Sequence, residues 1–368
     1  MNEVNMDEIN KQIDEWAQKT KKLTGTEVRE RETWNTDVTP DTIRHFCYGT
    51  DDDNPLYIDP DYAAKTKFGK LVAPPGYLVS VLYPILHGEP MKAPLASLIG
   101  GVAYEWNRPI YAGDKLHAVS KQGKFFEKVN KEGRRLNFVI SDISYLDEKD
   151  ELVGKATGTM IMATQVGRQT MFEKEIHKIS DEDLKELEKT FRAEKRTGAE
   201  MIYFEDVETG KGIPSMVRGP LTIGDMVAWN AAIGPSYKAG RWGFLEVLKA
   251  PHAQAVNPAL NFPVKYSQQH EDFNLAAGRG MPAPFDNGVM RFAWVAPMVT
   301  NWMGDNGFLR KLDVQVRAPG LYGDIITYEG SISEKDEDNG IVTIDITGTN
   351  QSGQVSTKGT ALVELPRK

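Results

Sequence analysis

Apolar and polar residues alternate along Leu136 to Tyr145 and again along Ile341 to Gly348, and that period predicts strands. A similar strand-like run closes each set, Val153 to Ala163 and Val355 to Leu365. Ahead of each set lies an apolar run that opens at a glycine. One is Gly76-Tyr77-Leu78-Val79-Ser80-Val81-Leu82, the other Gly288-Val289-Met290-Arg291-Phe292-Ala293-Trp294-Val295. Runs with so little polar face predict buried helices. Two further helices are predicted on the surface. Ile9, Ile13 and Trp16 recur at helical spacing within a charged segment, Met1 to Lys22. Ser180 and Asp183 form a capping-box pattern, followed by Leu184, Leu187 and Phe191 on one face among Lys and Glu.

The pattern occurs twice. Arg108-Pro109-Ile110-Tyr111-Ala112-Gly113-Asp114 is echoed by Arg317-Ala318-Pro319-Gly320-Leu321-Tyr322-Gly323-Asp324, and the Gly-Asp pairs are 323 − 113 = 210 residues apart. The glycines that open the apolar runs are 288 − 76 = 212 apart. Two landmarks at nearly one offset predict a duplicated α+β unit, a helix wrapped by an antiparallel meander in each half. The expected organisation is an amphipathic helical extension over 1–38, a first domain over 39–165, a charged helical linker over 166–200 and a second domain over 201–368. The loops before the apolar runs, Gly49 to Pro75 and Gly234 to Asp286, exceed ordinary connections and are candidates for function.

Composition narrows the function. A length of 368 residues fits two domains. The formal net charge of -8, with no basic run, argues against nucleic acid and against an anionic membrane surface. No apolar run reaches the length of a membrane span. The single cysteine, Cys47, excludes an internal disulfide and reads as a small apolar filler. The expectation is a cytoplasmic protein. Sparse histidines without ligand spacing argue against a zinc site, and no metal is expected. Nicotinamide-binding, phosphate-loop and nucleophile-elbow signatures are missing from the sequence.

Asp52-Asp53-Asn54-Pro55-Leu56-Tyr57-Ile58-Asp59, then Tyr62-Ala63 and Ala73-Pro74-Pro75-Gly76, resembles the signature of MaoC-like acyl-CoA hydratases and dehydratases, nearest their amino-terminal, fatty-acid-synthase-type dehydratase subgroup. The family pattern has a histidine where this chain has Tyr57. The second half resembles the companion domain through His270-Glu271-Asp272, Pro284-Phe285-Asp286-Asn287-Gly288 and Trp302-Met303-Gly304-Asp305. There the histidine is present, and Lys265 stands where the catalytic aspartate would be. The resemblance implies a tandem hotdog fold and an acyl-coenzyme A ligand, with coenzyme A part of the substrate and no separate cofactor. It also implies reversible addition of water to a 2-enoyl thioester. A homodimer or higher homo-oligomer is expected, with a second hotdog subunit as an alternative partner.

Hydration needs a base for water, an acid for the α-carbon and donors for the enolate oxygen. Catalytic candidates are His270, Asp272, Asp52 and Tyr57. Substrate-binding candidates are Asn54, Gly76, Asp286, Gly288 and Arg291; the glycines would offer helix-start N–H groups and Arg291 a phosphate or carboxylate contact. Three arrangements stay open. His270 works with Asp272, Glu271 or Asp286; Asp52 works with Tyr57; or the two long loops converge on one composite site. Two other functions compete with the hydratase, a thioesterase on the same fold and a non-catalytic acyl-coenzyme A-binding subunit.

Overall fold

The computed structural model describes residues 6–90, 95–131, 133–164, 174–234 and 238–368. Part of the predicted linker, residues 165–173, and the first five residues lie outside that description. Among the described residues thirteen strands run in chain order as β1 (Val72–Ala73), β2 (Leu95–Trp106), β3 (Ile110–Tyr111), β4 (Leu116–Val129), β5 (Arg135–Asp147), β6 (Leu152–Thr164), β7 (Gly212–Arg218), β8 (Gln254–Asn257), β9 (Phe262–Lys265), β10 (Phe308–Val316), β11 (Ile326–Asp336), β12 (Ile341–Asn350) and β13 (Val355–Glu364). The helices are α1 (Met6–Lys22), α2 (Pro40–Thr50), α3 (Pro55–Ile58), α4 (Pro60–Ala63), α5 (Leu78–Val81), α6 (Asp181–Ala193), α7 (Ile223–Ala232), α8 (Gly240–Lys249), α9 (Phe273–Gly278) and α10 (Met290–Met303).

Nine strands form one antiparallel sheet in the order β4-β5-β6-β2-β10-β13-β12-β11-β7. The first half contributes β4-β5-β6-β2, and the second repeats that order in mirror sequence from β10 to β11. The halves join where β2 pairs β10, with Ala103 opposite Asp313. Those two residues are themselves 313 − 103 = 210 apart, the offset of the sequence repeat, so the internal twofold passes through that pair. Other details recur at the same interval. The β4–β5 ladder shifts register after Gln122 and the β11–β12 ladder after Ile332, and 332 − 122 = 210. Asp114 accepts the Tyr111 N–H at 3.0 Å, as Asp324 accepts the Leu321 N–H at 2.9 Å. The duplicated, double hotdog architecture expected from the sequence is the one present.

The two halves differ in their helices. In the second half the apolar run becomes α10, buried along its length except at Trp302. In the first half the expected long helix is one short turn of 3₁₀ helix, Pro75–Tyr77, followed by the four residues of α5. Leu82 is already extended, at φ -150 and ψ 124. Pro84 lacks an N–H and disfavours helical backbone at Tyr83. Proline alone does not decide this, since α10 carries Pro297 inside it. The extended segment also finds partners off the helix path. The Leu82 carbonyl accepts from the Tyr145 hydroxyl at 2.8 Å, and the Pro84 carbonyl from the Ser141 hydroxyl. A β-carbon at Gly158 on β6 would collide with that Pro84 carbonyl, so the sheet needs a glycine there for the segment to lie down.

Both predicted surface helices form. Ile13, Trp16, Ala17 and Thr20 are the buried face of α1, and the Trp16 indole N–H donates to the Glu89 carbonyl at 2.7 Å. The capping box at Ser180 opens α6, where Leu187 is buried while Leu184 and Phe191 are exposed. Among the described residues no helix is long and apolar enough to cross a membrane.

Gly158→Ala is expected to lower stability by about 1–3 kcal/mol through overpacking against Pro84, measured by chemical denaturation. A neutral result would mean that the segment is not pinned to β6.

Candidate active site

The long loops are not structureless. In the first, Thr39 caps α2, and the chain then turns through left-handed Asp51 into Asp52 and Asn54. The Asn54 side chain caps α3, and the Asp59 carboxylate caps α4 by accepting from Asp61 and Tyr62 at 2.9 and 3.1 Å. The second loop holds α8, the β8–β9 hairpin, a 3₁₀ turn over Tyr266–His270, and α9. Asp272 caps α9 by accepting from Asn274 and Leu275 at 2.8 and 3.0 Å, the same i+2 and i+3 pattern as Asp59. Each aspartate ends its motif, so Tyr57 and His270 occupy equivalent places, 270 − 57 = 213 residues apart.

Their surroundings are not equivalent. Asp52 is buried, and its carboxylate accepts the Asn54 N–H at 3.3 Å. Loss of water pushes its pKa up to about 6, against the opposing pull of the Asn54 N–H, Arg218 and Arg196. Arg218 pairs with Asp51 and Glu194 at 3.1 and 3.2 Å, and Arg196 pairs with Asp53. Asp51, Asp52, Asp53 and Glu194 thus face two guanidinium groups, so a proton on Asp52 relieves the crowding. Tyr57 is buried beside this cluster. Burial first, then the Asp52 charge, raises its pKa well above the ordinary phenol value, so it stays protonated. Gly76 is buried against Phe46 and Phe292, at the head of a helix too short to carry a useful dipole.

In the second half, His270 is half-buried with Nδ1 2.8 Å from the Phe285 carbonyl. A carbonyl only accepts, so Nδ1 carries the proton and Nε2 keeps its lone pair. Desolvation lowers the pKa below the usual imidazole value, with the Phe285 carbonyl and the Asp286 charge opposing. Phe285 meets the ring edge-on, at 4.5 Å between centroids. Three residues on, Gly288 opens the run into α10; its N–H has no acceptor among the described residues. A β-carbon there would lie 2.7 Å from that of Ile99 on β2, so glycine is also required by the packing of the halves.

The carboxylates expected beside His270 are otherwise engaged. Besides capping α9, Asp272 accepts from Asn257 at 2.7 Å. Glu271 accepts from Asn230 at 2.6 Å. Asp286 accepts from Arg291 Nε at 2.5 Å and from the Gly320 N–H at 2.6 Å. Arg291 is fully buried and donates as well to Thr357 Oγ1, Ser356 O and Ala318 O. Arg291 and Asp286, candidates for substrate binding, form a buried internal pair, and Asp272, a catalytic candidate, is a helix cap. Asp52 faces Arg196, Arg218 and Tyr57, whereas His270 faces Phe285 and Asp286. Sequence reasoning missed Asn287 and Tyr83. Tyr83 donates its hydroxyl to Asn287 Oδ1, which also accepts the Val289 N–H at 3.2 Å. Extended backbone from Leu82 onward carries Tyr83 to the other half.

Two stability measurements follow. Arg291→Met should cost about 3–5 kcal/mol, because it strands a buried carboxylate; a loss under 1 kcal/mol in denaturant unfolding would contradict the buried pair. For Asp52, the folded pKa lies above the unfolded one, so the unfolded state binds fewer protons. Stability should fall as pH rises from 3.8 to about 6 and stay low above that. Asp52→Asn should remove the fall and gain on the order of 2 kcal/mol at pH 8; parallel stability curves for the two proteins would sink the assignment.

Residues 22–156 match the family model of the FAS1-like dehydratase domain region. A UPF0336 protein of Streptomyces avermitilis is 28% identical over 90 residues, 23% of this chain and 59% of that protein. The matched stretch thus spans less than two thirds of that relative. Among solved structures, a MaoC-like dehydratase superposes with a TM-score of 0.65 at 17% identity, covering 94% of this chain and 99% of its own. A MaoC-like dehydratase from Phytophthora capsici gives 0.56 at 12% identity, covering 99% and 100%. A Mycobacterium tuberculosis protein described as a double hotdog gives 0.54 at 12% identity, covering 93% and 96%. The chain is therefore a double hotdog with the fold of the MaoC-like dehydratases, and residues 22–156 are similar to the FAS1-like dehydratase domain region.

Proposed function

We propose that the protein is a hydratase/dehydratase that adds water reversibly to a 2-enoyl thioester of coenzyme A, with the reaction in the second half. The observation that carries this reading is the conjunction at one place of a neutral imidazole with a free Nε2 and the head of the long buried helix. The first half offers neither, since its histidine position is Tyr57 and its helix is one turn long.

In this reading His270 Nε2 removes a proton from water as the water oxygen bonds to the β-carbon. The electron pair of the double bond moves toward the thioester carbonyl, whose oxygen gains negative charge. The Gly288 N–H and the N-terminal end of α10 stabilise that charge. The imidazolium then returns the proton to the α-carbon, so one group serves as base and acid and no second carboxylate is needed. The first half completes the wall through Ile99 and Tyr83.

The test follows loss of conjugated-thioester absorbance across short, branched, aromatic and dicarboxylic 2-enoyl-coenzyme A compounds. His270→Ala should lower kcat by about 10²–10⁴-fold, while Asp52→Asn keeps most of it. The wild-type profile should rise with pH through a single limb below the ordinary imidazole pKa and then stay flat, because the base must be unprotonated. The opposite ranking of the two variants would move the reaction to Asp52. Release of free thiol in place of hydration would make the protein a thioesterase.

A further inference from the structure

Two arginines beside the His270 site meet no carboxylate among the described residues. Arg279 follows α9 and lies over the ring of Tyr266, 3.9 Å from its centroid. Tyr266 begins the turn that ends in His270. Among the described residues Arg279 has no ion pair, and loss of water alone lowers its pKa to about 10. Arg31 approaches from the other half. Its guanidinium sits 4.0 Å from the centroid of Tyr83, whose hydroxyl holds Asn287 next to Gly288. The acidic neighbours of Arg31 are engaged elsewhere, Glu30 with His87 and Glu32 with Lys238.

Among the described buried and half-buried arginines, Arg108, Arg135, Arg196, Arg218, Arg291 and Arg310 meet carboxylates and Arg134 meets the Thr164 carbonyl. The chain has 52 acidic residues against 44 Lys and Arg, so counter-ions are plentiful. A partly desolvated guanidinium without one is costly. A guanidinium over a tyrosine face is held by cation–π attraction and leaves its N–H donors for oxygen acceptors, an arrangement suited to planar or phosphate oxygens.

We propose that Arg31 and Arg279 bind anionic oxygens of the ligand at the His270 site. The choice of ligand rests on the thioester reading above, and the oxygens belong either to the phosphates of coenzyme A or to a second carboxylate on the acyl group. Titration calorimetry separates the two without turnover. The ligands are coenzyme A, pantetheine, succinyl-pantetheine and butyryl-pantetheine; the proteins are wild type, Arg31→Gln and Arg279→Gln. If phosphate is bound, wild type prefers coenzyme A to pantetheine, and each variant weakens coenzyme A binding by about tenfold or more while leaving pantetheine unchanged. If a carboxylate is bound, the variants instead lose the preference for succinyl- over butyryl-pantetheine. Arg279→Lys should recover part of either loss, which a purely structural arginine would not require. Variants that bind all four ligands as wild type does would overturn the proposal, as would a wild type with neither preference. A wild type that discriminates these ligands yet hydrates no enoyl thioester would retain the anion site and remove the hydratase.

Discussion

The buried pair of Asp286 and Arg291 holds the second half together. A charge withdrawn from water is tolerated only when its hydrogen bonds are replaced, and here they are. Asp286 takes the Arg291 Nε and the Gly320 N–H, and Arg291 reaches Thr357, Ser356 and Ala318. Three separate pieces of chain are thereby fixed to the first turn of α10: the segment before it, the turn after β10 and the start of β13. Phe285 belongs to the first of these, and its carbonyl sets the tautomer of His270. A pair that touches no substrate thus determines how the candidate base is presented. At the repeat offset, 286 − 212 = 74 and 291 − 212 = 79, which are Pro74 and Val79. The first half has no such pair, and there the helix is a single turn.

Much of the fold was legible because its signals are periodic and occur twice. Strand alternation, the Gly-Asp turns and the glycines that open the apolar runs fixed two halves of like order. The length of the first buried helix was not legible. Gly76 to Leu86 is apolar but for Ser80, and a run with so little polar face reads alike whether it coils or lies flat on a sheet. What flattened it was distant: Ser141, Tyr145 and the bare surface at Gly158, more than fifty residues along the chain.

The site was legible in its residue types and much less in its contacts. His270 and Gly288 fall together because both belong to one local stretch. Asp272, Asp286 and Arg291 were charged residues near a histidine, and each proved to be spent within the protein, as a cap or an internal pair. Such partners come from the backbone of a turn or from another strand, which no spacing rule reveals. Arg31 and Tyr83 reach the site from the opposite half, across the junction of β2 and β10, and nothing local marks them.

That junction has a consequence for the molecule as a whole. A hotdog standing alone would present its outermost strand, β2 or β10, with an unpaired row of peptide groups. Here each covers the other, within a single chain, at a local concentration that no dilution can lower. A half produced separately would regain a sticky margin and would be driven toward like-with-like assembly or precipitation. The tether therefore does more than link two domains: it lets the halves diverge, one shortening its helix and losing its histidine, while their mutual fit never depends on finding a partner in solution.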